Sequence, residues 1–312
     1  MCKRALILTD GKAGHENQSV AFARSLGCSF DVMPVSFKSR AAKTASYLLD
    51  HISVRSLRLY RECETMRRVA GNGGYDVVIG TGSGTFYAAK AMAAAMKIKC
   101  GVVLYPRGYR ISSFGCILAP VFDNPATSHN VIAIPVNLVA SDAEFYAKGV
   151  DEFRKRHTVR GASAAAVVVG GPNKRASMTA QWMKEQLDAV FAECSDCEKW
   201  VTTSRRTPQD VEALIDSYPW DYKLIYSREK FNPIPAFVAL AKRLYVTAES
   251  TGMLSEACIS GCAEVYALDN LKSGGHKFRR FVDSLKAGGY VGSSRKVDLS
   301  DAIARARQLL GL

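Results

Sequence analysis

Long apolar runs are missing from this sequence of 312 residues. No stretch reaches the roughly 18 consecutive apolar residues that mark a membrane-spanning helix, which excludes an integral membrane protein of that kind. The N-terminal residues lead straight into an apolar segment at residues 5–8, without the basic, apolar and small-residue regions of a secretory signal peptide. We therefore expect a cytoplasmic protein.

The common cofactor and metal motifs are also missing. Neither the dinucleotide pattern Gly-x-Gly-x-x-Gly nor the phosphate-loop pattern Gly-x-x-x-x-Gly-Lys-Ser/Thr occurs. Cys194 and Cys197 form a Cys-x-x-Cys pair, but no second pair follows at the spacing of a zinc ribbon. We expect no metal ion and no organic cofactor, and we expect the cysteines, Cys262 included, to be reduced and structural.

What the sequence does have is a repeated alternation of short apolar runs and amphipathic segments. The alternation pauses at a connection and restarts with the apolar run at residues 164–169. This pattern predicts parallel sheets with helices on both faces. We expect an α/β protein with two Rossmann-like domains facing across a cleft. The N-terminal domain would cover residues 1–145, the C-terminal domain residues 146–298, and a last helix at residues 299–312 would pack back on the first domain.

The net charge of +13 is densest in the segment from Lys38 to Arg68. Apolar residues interleave with the basic ones there, which predicts one or two amphipathic helices, the second over residues 54–70. Such a cationic face can bind anionic lipid or an acidic ligand, or it is a solvated helix face. No nucleic-acid-binding motif accompanies the charge. We therefore expect an anionic membrane surface, and not nucleic acid, as the partner of this segment.

The loops that follow strands carry most of the functional signal, because ligands of open α/β sheets bind beyond the carboxyl ends of the strands. The first such loop contains Asp10, Gly11, Gly14 and His15. We interpret His15 as a general base for an acceptor hydroxyl, since histidine exchanges protons near neutral pH. The glycines would allow close approach of the substrate. The alternative is that His15 is only a residue at the start of a helix.

Two further loops of the N-terminal half are candidates for the acceptor side. One contains Gly82 and Ser83 and can present N–H donors to a polar or anionic ligand. Its alternative is a tight turn in which Thr85 caps the next helix. The other contains Arg107, which either meets an acidic acceptor or is a surface charge.

The C-terminal half has two loops that suggest a phosphate site, since cations and a helix start are typical ligands of a diphosphate. Their candidate residues are Gly171, Asn173, Lys174, Ser204 and Arg205. Thr207 follows the second loop, and we expect it to cap a helix whose first turn contains Pro208.

A third loop of the C-terminal half leads into another helix. Ser250, Thr251 and Gly252 can hold a phosphate at the start of that helix. Glu256 lies one turn further and could accept both hydroxyls of a ribose. The alternative for Glu256 is an exposed helical acid.

Together these motifs resemble the mitochondrial-fission "elongated mitochondria" family. The resemblance extends over nearly the whole chain and rests on residues 10–19 (DGKAGHENQS), 170–173 (GGPN), 202–208 (TTSRRTP), 247–257 (TAESTGMLSEA) and 277–281 (KFRRF). That family comprises plant fission factors and bacterial relatives regarded as glycosyltransferases. It is similar in turn to GT-B glycosyltransferases, including the peptidoglycan GlcNAc transferase that makes lipid II. The resemblance implies that His15 faces the acceptor and that Glu256 holds the nucleotide ribose.

The resemblance implies transfer of a sugar from a nucleotide-diphosphate sugar to a lipid-linked or cell-envelope glycan acceptor. No Asp-x-Asp triplet occurs, so metal-assisted departure of the diphosphate is not indicated. The protein would act in the cytoplasm, peripherally on the inner membrane. Two alternatives stay open: an epimerase or hydrolase acting on the same donor, and a non-catalytic membrane-associated adaptor, because plant members of the family act as recruiting factors.

Overall fold

The computed structural model describes residues 2–161, 163–260, 263–274 and 276–312. The chain forms two compact units. The first extends to Ala140 and also includes Asp298–Leu312, and the second is Ser141–Val297. The last helix of the chain therefore belongs to the first unit. The division expected at residue 145 falls inside a helix of the second unit.

A parallel sheet forms the centre of the first unit, with the strand order β2-β1-β3-β4-β5-β6. Its strands are β1 (Lys3–Thr9), β2 (Cys28–Pro34), β3 (Val77–Thr81), β4 (Lys99–Val103), β5 (Cys116–Pro120) and β6 (Val131–Ile134). Leu6 and Leu8 point into one buried cluster, whereas Ala5 and Ile7 point into another on the opposite face. Burial on both faces explains why central strands such as β1 and β3 contain continuous apolar runs.

Helices cover both faces of this sheet. They are α1 (Ala13–Ser25), α2 (Arg40–His51), α3 (Cys63–Asn72), α4 (Phe86–Met96) and, at the end of the chain, α11 (Ser300–Leu310). Met66 of α3 and Met92 of α4 pack into one cluster, and Phe22 of α1 and Leu310 of α11 pack into the other. The alanine-rich sequence of α4 favours a helix, and most of that helix is buried.

The second unit is built around another parallel sheet, ordered β11-β10-β7-β8-β9. Its strands are β7 (Ala164–Val168), β8 (Glu198–Thr202), β9 (Tyr222–Leu224), β10 (Arg243–Thr247) and β11 (Glu264–Leu268). Its helices are α5 (Ala143–Arg154), α6 (Ala180–Glu193), α7 (Gln209–Asp216), α8 (Ile234–Leu240), α9 (Thr251–Ser260) and α10 (His276–Ala287). Asp142 and Thr179 cap α5 and α6, because their side chains accept hydrogen bonds from backbone N–H groups of the first turn.

An aromatic cluster lies on one face of the second sheet, where Phe153 and Phe237 pack against Trp200 with ring centroids 5.1 and 5.6 Å away. Beside it, Glu198 accepts hydrogen bonds from Trp200 Nε1 at 2.9 Å and from the Gly161 N–H at 2.6 Å, and its Oε2 lies 2.8 Å from Nε2 of His157. Burial raises the pKa of Glu198, but these hydrogen bonds outweigh burial and lower the pKa to about 2.

The helix expected over residues 54–70 is wrong in its first half. A short 3-10 turn occupies Leu57–Leu59, and α3 begins only at Cys63. Ser53 adopts a φ of 61°, which turns the chain out of the helical conformation. Tyr60 then pairs with Phe37 as an isolated antiparallel bridge. Backbone pairing with a distant segment has replaced the local amphipathic helix.

The expected capping of α7 by Thr207 is also wrong. Pro208 occupies the position before the helix, and no side chain caps it. The Thr207 hydroxyl instead donates a hydrogen bond to the carbonyl of Gly170 at 2.6 Å. It therefore ties two loops of the second unit together.

Each cysteine within the described residues is a free thiol. Cys262, also expected to be reduced, lies outside the described residues. Over the same described ranges, every helix is too short or too polar to cross a bilayer.

Candidate active site

Asp10 and His15 form a hydrogen-bonded pair beyond the carboxyl end of β1. Nδ1 of His15 lies 3.0 Å from Oδ1 and 3.1 Å from Oδ2 of Asp10. His15 is in the first turn of α1, so it does stand at a helix start, but its side chain is also paired. Within the described residues, its Nε2 atom makes no hydrogen bond. This nitrogen is therefore available to exchange a proton with a ligand.

The loop after β3 packs directly on this pair. Gly82 has a φ of 84°, a conformation that favours glycine, and a Cβ there would lie 2.3 Å from Cε1 of His15. A Cβ at Gly84 would lie 2.7 Å from Cβ of Asp10. Glycine at these two positions lets the loop close against the pair and hold the imidazole in place.

Asp10 is kept in its charged form by its neighbours. Burial raises its pKa, but the hydrogen bond from Lys12 and the charge of His15 lower it by more, so the pKa of Asp10 lies below its ordinary value. Nζ of Lys12 is 3.2 Å from Oδ2 of Asp10. A charged carboxylate on Nδ1 orients the ring and stabilises the imidazolium that forms when Nε2 accepts a proton.

The other predicted acceptor-side residues have different surroundings. A Cβ at Gly11 or Gly14 would meet nothing within 4 Å, so the space beside them is open. Ser83 accepts a hydrogen bond from Nζ of Lys43 at 2.9 Å. Arg107 donates a hydrogen bond to the carbonyl of Asp123 and, among the described residues, makes none to His15.

The tight turn considered for the β3–α4 loop is present. Thr85 precedes α4, but its side chain does not cap that helix. Its hydroxyl donates to the carbonyl of Gly82 at 3.1 Å, which closes the turn that faces His15.

A buried carboxylate that the sequence analysis did not select, Glu249, organises the second unit. It follows β10, and its Oε1 accepts hydrogen bonds from the Gly171 N–H at 2.7 Å and from the Thr247 hydroxyl at 3.1 Å. Its Oε2 accepts from Nδ2 of Asn270 at 2.7 Å. Glu249 therefore joins the loops that follow β7, β10 and β11. Its motif, TAES, was visible in the sequence, but its partners are far away in the chain.

The loops after β7 and β8 also meet closely. The carbonyl of Gly170 accepts a hydrogen bond from the Ser204 hydroxyl at 2.8 Å, and the Gly170 N–H donates to Oγ1 of Thr247 at 2.9 Å. A Cβ at Gly170 would lie 2.0 Å from Oε1 of Glu249, and a Cβ at Gly171 would lie 2.3 Å from the carbonyl oxygen of Arg206. Only glycine allows these three loops to converge.

The start of α9 is open beside this convergence point. Ser250 is 8% exposed, its backbone carbonyl accepts from the Leu254 N–H, and its hydroxyl lies 3.4 Å from Oε1 of Glu249. The N–H groups of Thr251 and Gly252 have no intrahelical partner at a helix start. A Cβ at Gly252 would meet nothing within 4 Å. Unpaired donors next to open space can bind an anion.

The predicted donor-binding residues divide into two groups. Lys174 and Arg205 are exposed cations without an ion-pair partner in the described part of the chain. The Gly171 N–H and the Ser204 hydroxyl already donate hydrogen bonds to other loops. Asn173 accepts from the N–H groups two and three residues later and so shapes its own turn. The first group can touch a ligand, whereas the second group positions the loops.

Glu256 is not an exposed helical acid. Its Oε1 accepts hydrogen bonds from the Ser141 hydroxyl at 3.0 Å and the Tyr146 hydroxyl at 3.1 Å. Burial raises its pKa above the ordinary value, although these two hydrogen bonds oppose the rise. Its Oε2 accepts no hydrogen bond from a described residue. This side chain can therefore accept further hydroxyl groups.

No three described histidine, cysteine, aspartate or glutamate side chains stand close enough to form a metal site. The geometry instead separates into a histidine–carboxylate pair in the first unit and an open helix start in the second. Two Rossmann-like units with polar loops at the carboxyl ends of parallel strands define an α/β protein of the GT-B kind.

Comparison with known proteins agrees with this class. Residues 13–307 match the family model described as Mitochondrial fission ELM1, and the chain belongs to that family. An uncharacterized protein, RP120, from Rickettsia prowazekii (strain Madrid E) is 25% identical over 298 residues, which covers 82% of this chain and 80% of that protein.

Two solved structures share the fold at low sequence identity. The UDP-GlcNAc 2-epimerase from Neisseria meningitidis, bound to UDP-GlcNAc, gives a TM-score of 0.53 at 12% identity and covers 100% of this chain and 98% of its own. The glycotransferase of kitacinnamycin gives a TM-score of 0.51 at 13% identity and covers 100% of this chain and 91% of its own. The fold is thus that of GT-B glycosyltransferases and UDP-GlcNAc 2-epimerases.

Proposed function

We propose that this protein transfers a sugar from a nucleotide-diphosphate sugar to a hydroxyl of a lipid-linked or cell-envelope glycan. The observation that carries the proposal is the convergence of the loops after β7, β8 and β10 beside the open start of α9. A diphosphate needs unpaired N–H donors and cations, and this edge of the second sheet offers both. The fold shared with an epimerase bound to UDP-GlcNAc supports a nucleotide sugar as the ligand.

In this proposal the second unit binds the donor. The N–H groups of Thr251 and Gly252 and the Ser250 hydroxyl hold the diphosphate, and Lys174 and Arg205 supply positive charge. The free Oε2 of Glu256 accepts the ribose hydroxyls. These preorganised donors also stabilise the charge that develops on the diphosphate as it leaves. The sequence has no Asp-x-Asp triplet, so we propose a metal-independent departure.

The first unit supplies the base. Nε2 of His15 takes the proton of the acceptor hydroxyl while its oxygen bonds to the anomeric carbon, and the bond from that carbon to the diphosphate breaks. Asp10, 3.0 Å from Nδ1, stabilises the imidazolium. The open space at Gly11 and Gly14 leaves room for the acceptor.

An epimerase or hydrolase acting on a nucleotide sugar is the second candidate. It is favoured by the fold similarity to the UDP-GlcNAc 2-epimerase from Neisseria meningitidis. The same donor site would serve it, and His15 would act on the donor itself or on water. An adaptor that binds without catalysis is the third candidate, because the chain belongs to the Mitochondrial fission ELM1 family.

Turnover of nucleotide sugars separates these candidates. The full chain is incubated with UDP-, GDP-, CMP-, ADP- and dTDP-sugars, with and without a membrane lipid extract, and products are followed by mass spectrometry. Sugar transfer predicts release of one nucleotide only when the extract is present. Formation of an isomer or of free sugar without the extract would show that the protein is an epimerase or a hydrolase and not a transferase. No turnover under either condition would contradict both enzymatic proposals.

We further propose that the segment from Lys38 to Arg68 rests the first unit on an anionic membrane surface. Leu48 and Ile52, at the end of α2, are 70% and 68% exposed, and Val54 follows at 42%. Exposed apolar side chains beside arginines and lysines are the composition of a membrane-surface segment.

Vesicle sedimentation tests this membrane proposal. Phosphatidylcholine vesicles containing phosphatidylglycerol should retain the wild-type protein at low salt, and added salt should release it. The double variant Leu48→Ser/Ile52→Ser should bind roughly tenfold or more weakly, because each leucine-sized side chain contributes about 1.5–3 kcal/mol when buried. Val32→Ser, in β2 and 42% exposed, is the matched control and should bind normally. Wild-type protein that stays in the supernatant would contradict the proposal.

A further inference from the structure

A cavity of about 930 Å³ lies in the first unit, at the amino ends of β4, β5 and β6. Lys99 begins β4, Gly115 precedes β5, and His129 precedes β6, and all three line the cavity. In a parallel sheet these ends are opposite to the carboxyl edge where Asp10 and His15 lie. The cavity is therefore separate from the candidate active site.

The charged groups that line this cavity are all cationic or imidazole. They are Arg55, Lys90, Lys99, His129 and Arg305. Among the described residues, no aspartate or glutamate lines it. A neighbouring cavity of about 450 Å³ shares Arg55 and Ala94 with it and adds Arg58 and Arg67. The charged residues that line the two cavities are thus all cationic or imidazole, a lining that attracts anions.

The floor of the cavity consists of buried, hydrogen-bonded side chains and not only of surface lysines. Nζ of Lys90, with its side chain 1% exposed, donates to both oxygens of Asp50 at 2.8 and 2.9 Å and to the Arg110 carbonyl at 2.7 Å. Arg55 lies 3.1 Å from the same carboxylate. One buried carboxylate thus faces two cations, so the floor keeps a net positive charge. Burial lowers the pKa of Lys90 to about 8, although Asp50 opposes this, and a bound anion would favour its charged form.

The walls still offer hydrogen-bond donors. Nζ of Lys99 donates one hydrogen bond to the Leu309 carbonyl at 2.7 Å, and the Arg305 guanidinium donates one to the His129 carbonyl at 3.0 Å. Their remaining donors have no protein partner in the described ranges, and the Gln308 side chain has none either. Phe114 and Ile98 add an apolar wall. The volume is within the ordinary range for small-molecule sites.

We propose that this cavity binds a phosphate ester that carries at least two negative charges and an apolar portion. Cations without a carboxylate in the lining select phosphate, and the apolar wall selects an organic ester. The ester comes either from the headgroup of an anionic phospholipid or from a soluble phosphorylated molecule. The proposal is independent of the sugar-transfer function, because none of its residues belongs to the donor or acceptor loops.

Calorimetric titration with inorganic pyrophosphate tests the site, in a background carrying Lys174→Glu and Arg205→Glu to remove the proposed donor site. Gln308→Glu adds a carboxylate to the wall without removing any contact, and Lys99→Glu reverses a charge. Each should weaken binding roughly tenfold or more. Lys230→Glu, at an exposed position of the second unit, is the matched control outside the cavity and should change binding less than about twofold. Circular dichroism checks that each variant is folded.

Competition with vesicles of phosphatidylcholine and phosphatidic acid distinguishes the two sources. Vesicles that displace pyrophosphate, and that bind Gln308→Glu more weakly than the parent protein when both also carry Leu48→Ser/Ile52→Ser, would identify the lipid headgroup. Pyrophosphate binding that vesicles do not displace would identify a soluble ester. The proposal would be overturned by an absence of saturable pyrophosphate binding, or by equal weakening in Gln308→Glu, Lys99→Glu and Lys230→Glu, which would indicate only non-specific charge attraction.

Discussion

Each unit has an acidic side chain just beyond the carboxyl end of a strand, Asp10 after β1 and Glu249 after β10, and the two have opposite surroundings. Asp10 contacts an imidazole whose other nitrogen makes no hydrogen bond to any residue that the structure describes. Glu249 is 4% exposed and accepts hydrogen bonds from Gly171, Thr247 and Asn270, all of which are neutral donors. The Asp10 carboxylate contacts a side chain that can transfer a proton, whereas the Glu249 carboxylate joins loops.

This comparison suggests that the two units divide the work. In the proposed function the first unit supplies proton transfer at the carboxyl edge of its sheet, whereas its cationic cavity lies at the opposite edge. The second unit supplies rigid loops, an open helix start and cations, but no titratable group with a free ring nitrogen at that edge among the described residues. Changes in the first unit should therefore affect the rate of reaction, and changes in the second should affect donor binding and stability.

The largest expected effect is on turnover. His15→Gln keeps the size of the side chain but removes the base, so the turnover rate should fall roughly 10²–10⁴-fold, with little change in donor binding. His276→Gln, an exposed histidine of α10, is the control and should retain full turnover. Steady-state kinetics with the nucleotide sugar identified in the turnover screen would measure both. Normal turnover by the His15→Gln protein would show that His15 is not the base.

Removal of the Glu249 carboxylate should affect stability instead. Glu249→Ala leaves the buried Gly171 N–H and Asn270 amide without a partner, so the free energy of unfolding should fall by roughly 3 kcal/mol. Glu185→Ala, at an exposed position of α6, should change it by less than about 0.5 kcal/mol. Urea unfolding followed by circular dichroism measures the difference. Equal stabilities would mean that Glu249 does not hold these loops.

The stability of the second unit should also depend on acid through Glu198. Its pKa is about 2 in the folded protein and about 4.5 as an ordinary glutamate, so its stabilising contribution is complete above pH 4.5 and is lost as the pH falls towards 2. The contribution is about 3 kcal/mol. Unfolding at pH 7, 4.5 and 3 should show this loss in the wild type and a smaller one in Glu198→Gln. The same pH slope in both proteins would assign the acid sensitivity to other groups.

The smallest of these effects concerns the orientation of His15. Gly82→Ala places a methyl group against the imidazole and forces alanine into a positive φ, so the free energy of unfolding should fall by about 1–3 kcal/mol. Gly14→Ala, where the added group would meet nothing within 4 Å, should be neutral or stabilise α1 by up to about 1 kcal/mol. Thermal unfolding of both variants tests whether the loop after β3 really fixes the pair.

Much of the fold could be predicted because its signal is local. Strands such as β7 and β10 are continuous apolar runs, which follows from burial on both faces of a parallel sheet. The error at residues 54–70 arose because pairing of Tyr60 with Phe37 joins distant segments. Periodicity within one segment carries no information about such pairing.

The candidate site was predicted less completely for the same reason. The sequence pattern predicted that His15 follows a strand and that a helix starts near Ser250. The close approach of Gly82 to His15, and the hydrogen bonds of Glu249, depend on loops that meet only in the folded chain. The hydroxyls of Ser204 and Thr207 were assigned to phosphate and to capping, but both donate to the Gly170 carbonyl.

The most direct test of this division of work is calorimetric titration of UDP, GDP, CMP, ADP and dTDP into the wild type, Gly252→Ala and Gly252→Asp. Alanine fits the open space at the start of α9, whereas aspartate places a negative charge where the diphosphate should bind. We predict that one nucleotide binds the wild type and Gly252→Ala equally and binds Gly252→Asp roughly tenfold or more weakly. Equal binding to all three proteins, or no binding at millimolar nucleotide to the folded wild type, would contradict a donor site in the second unit.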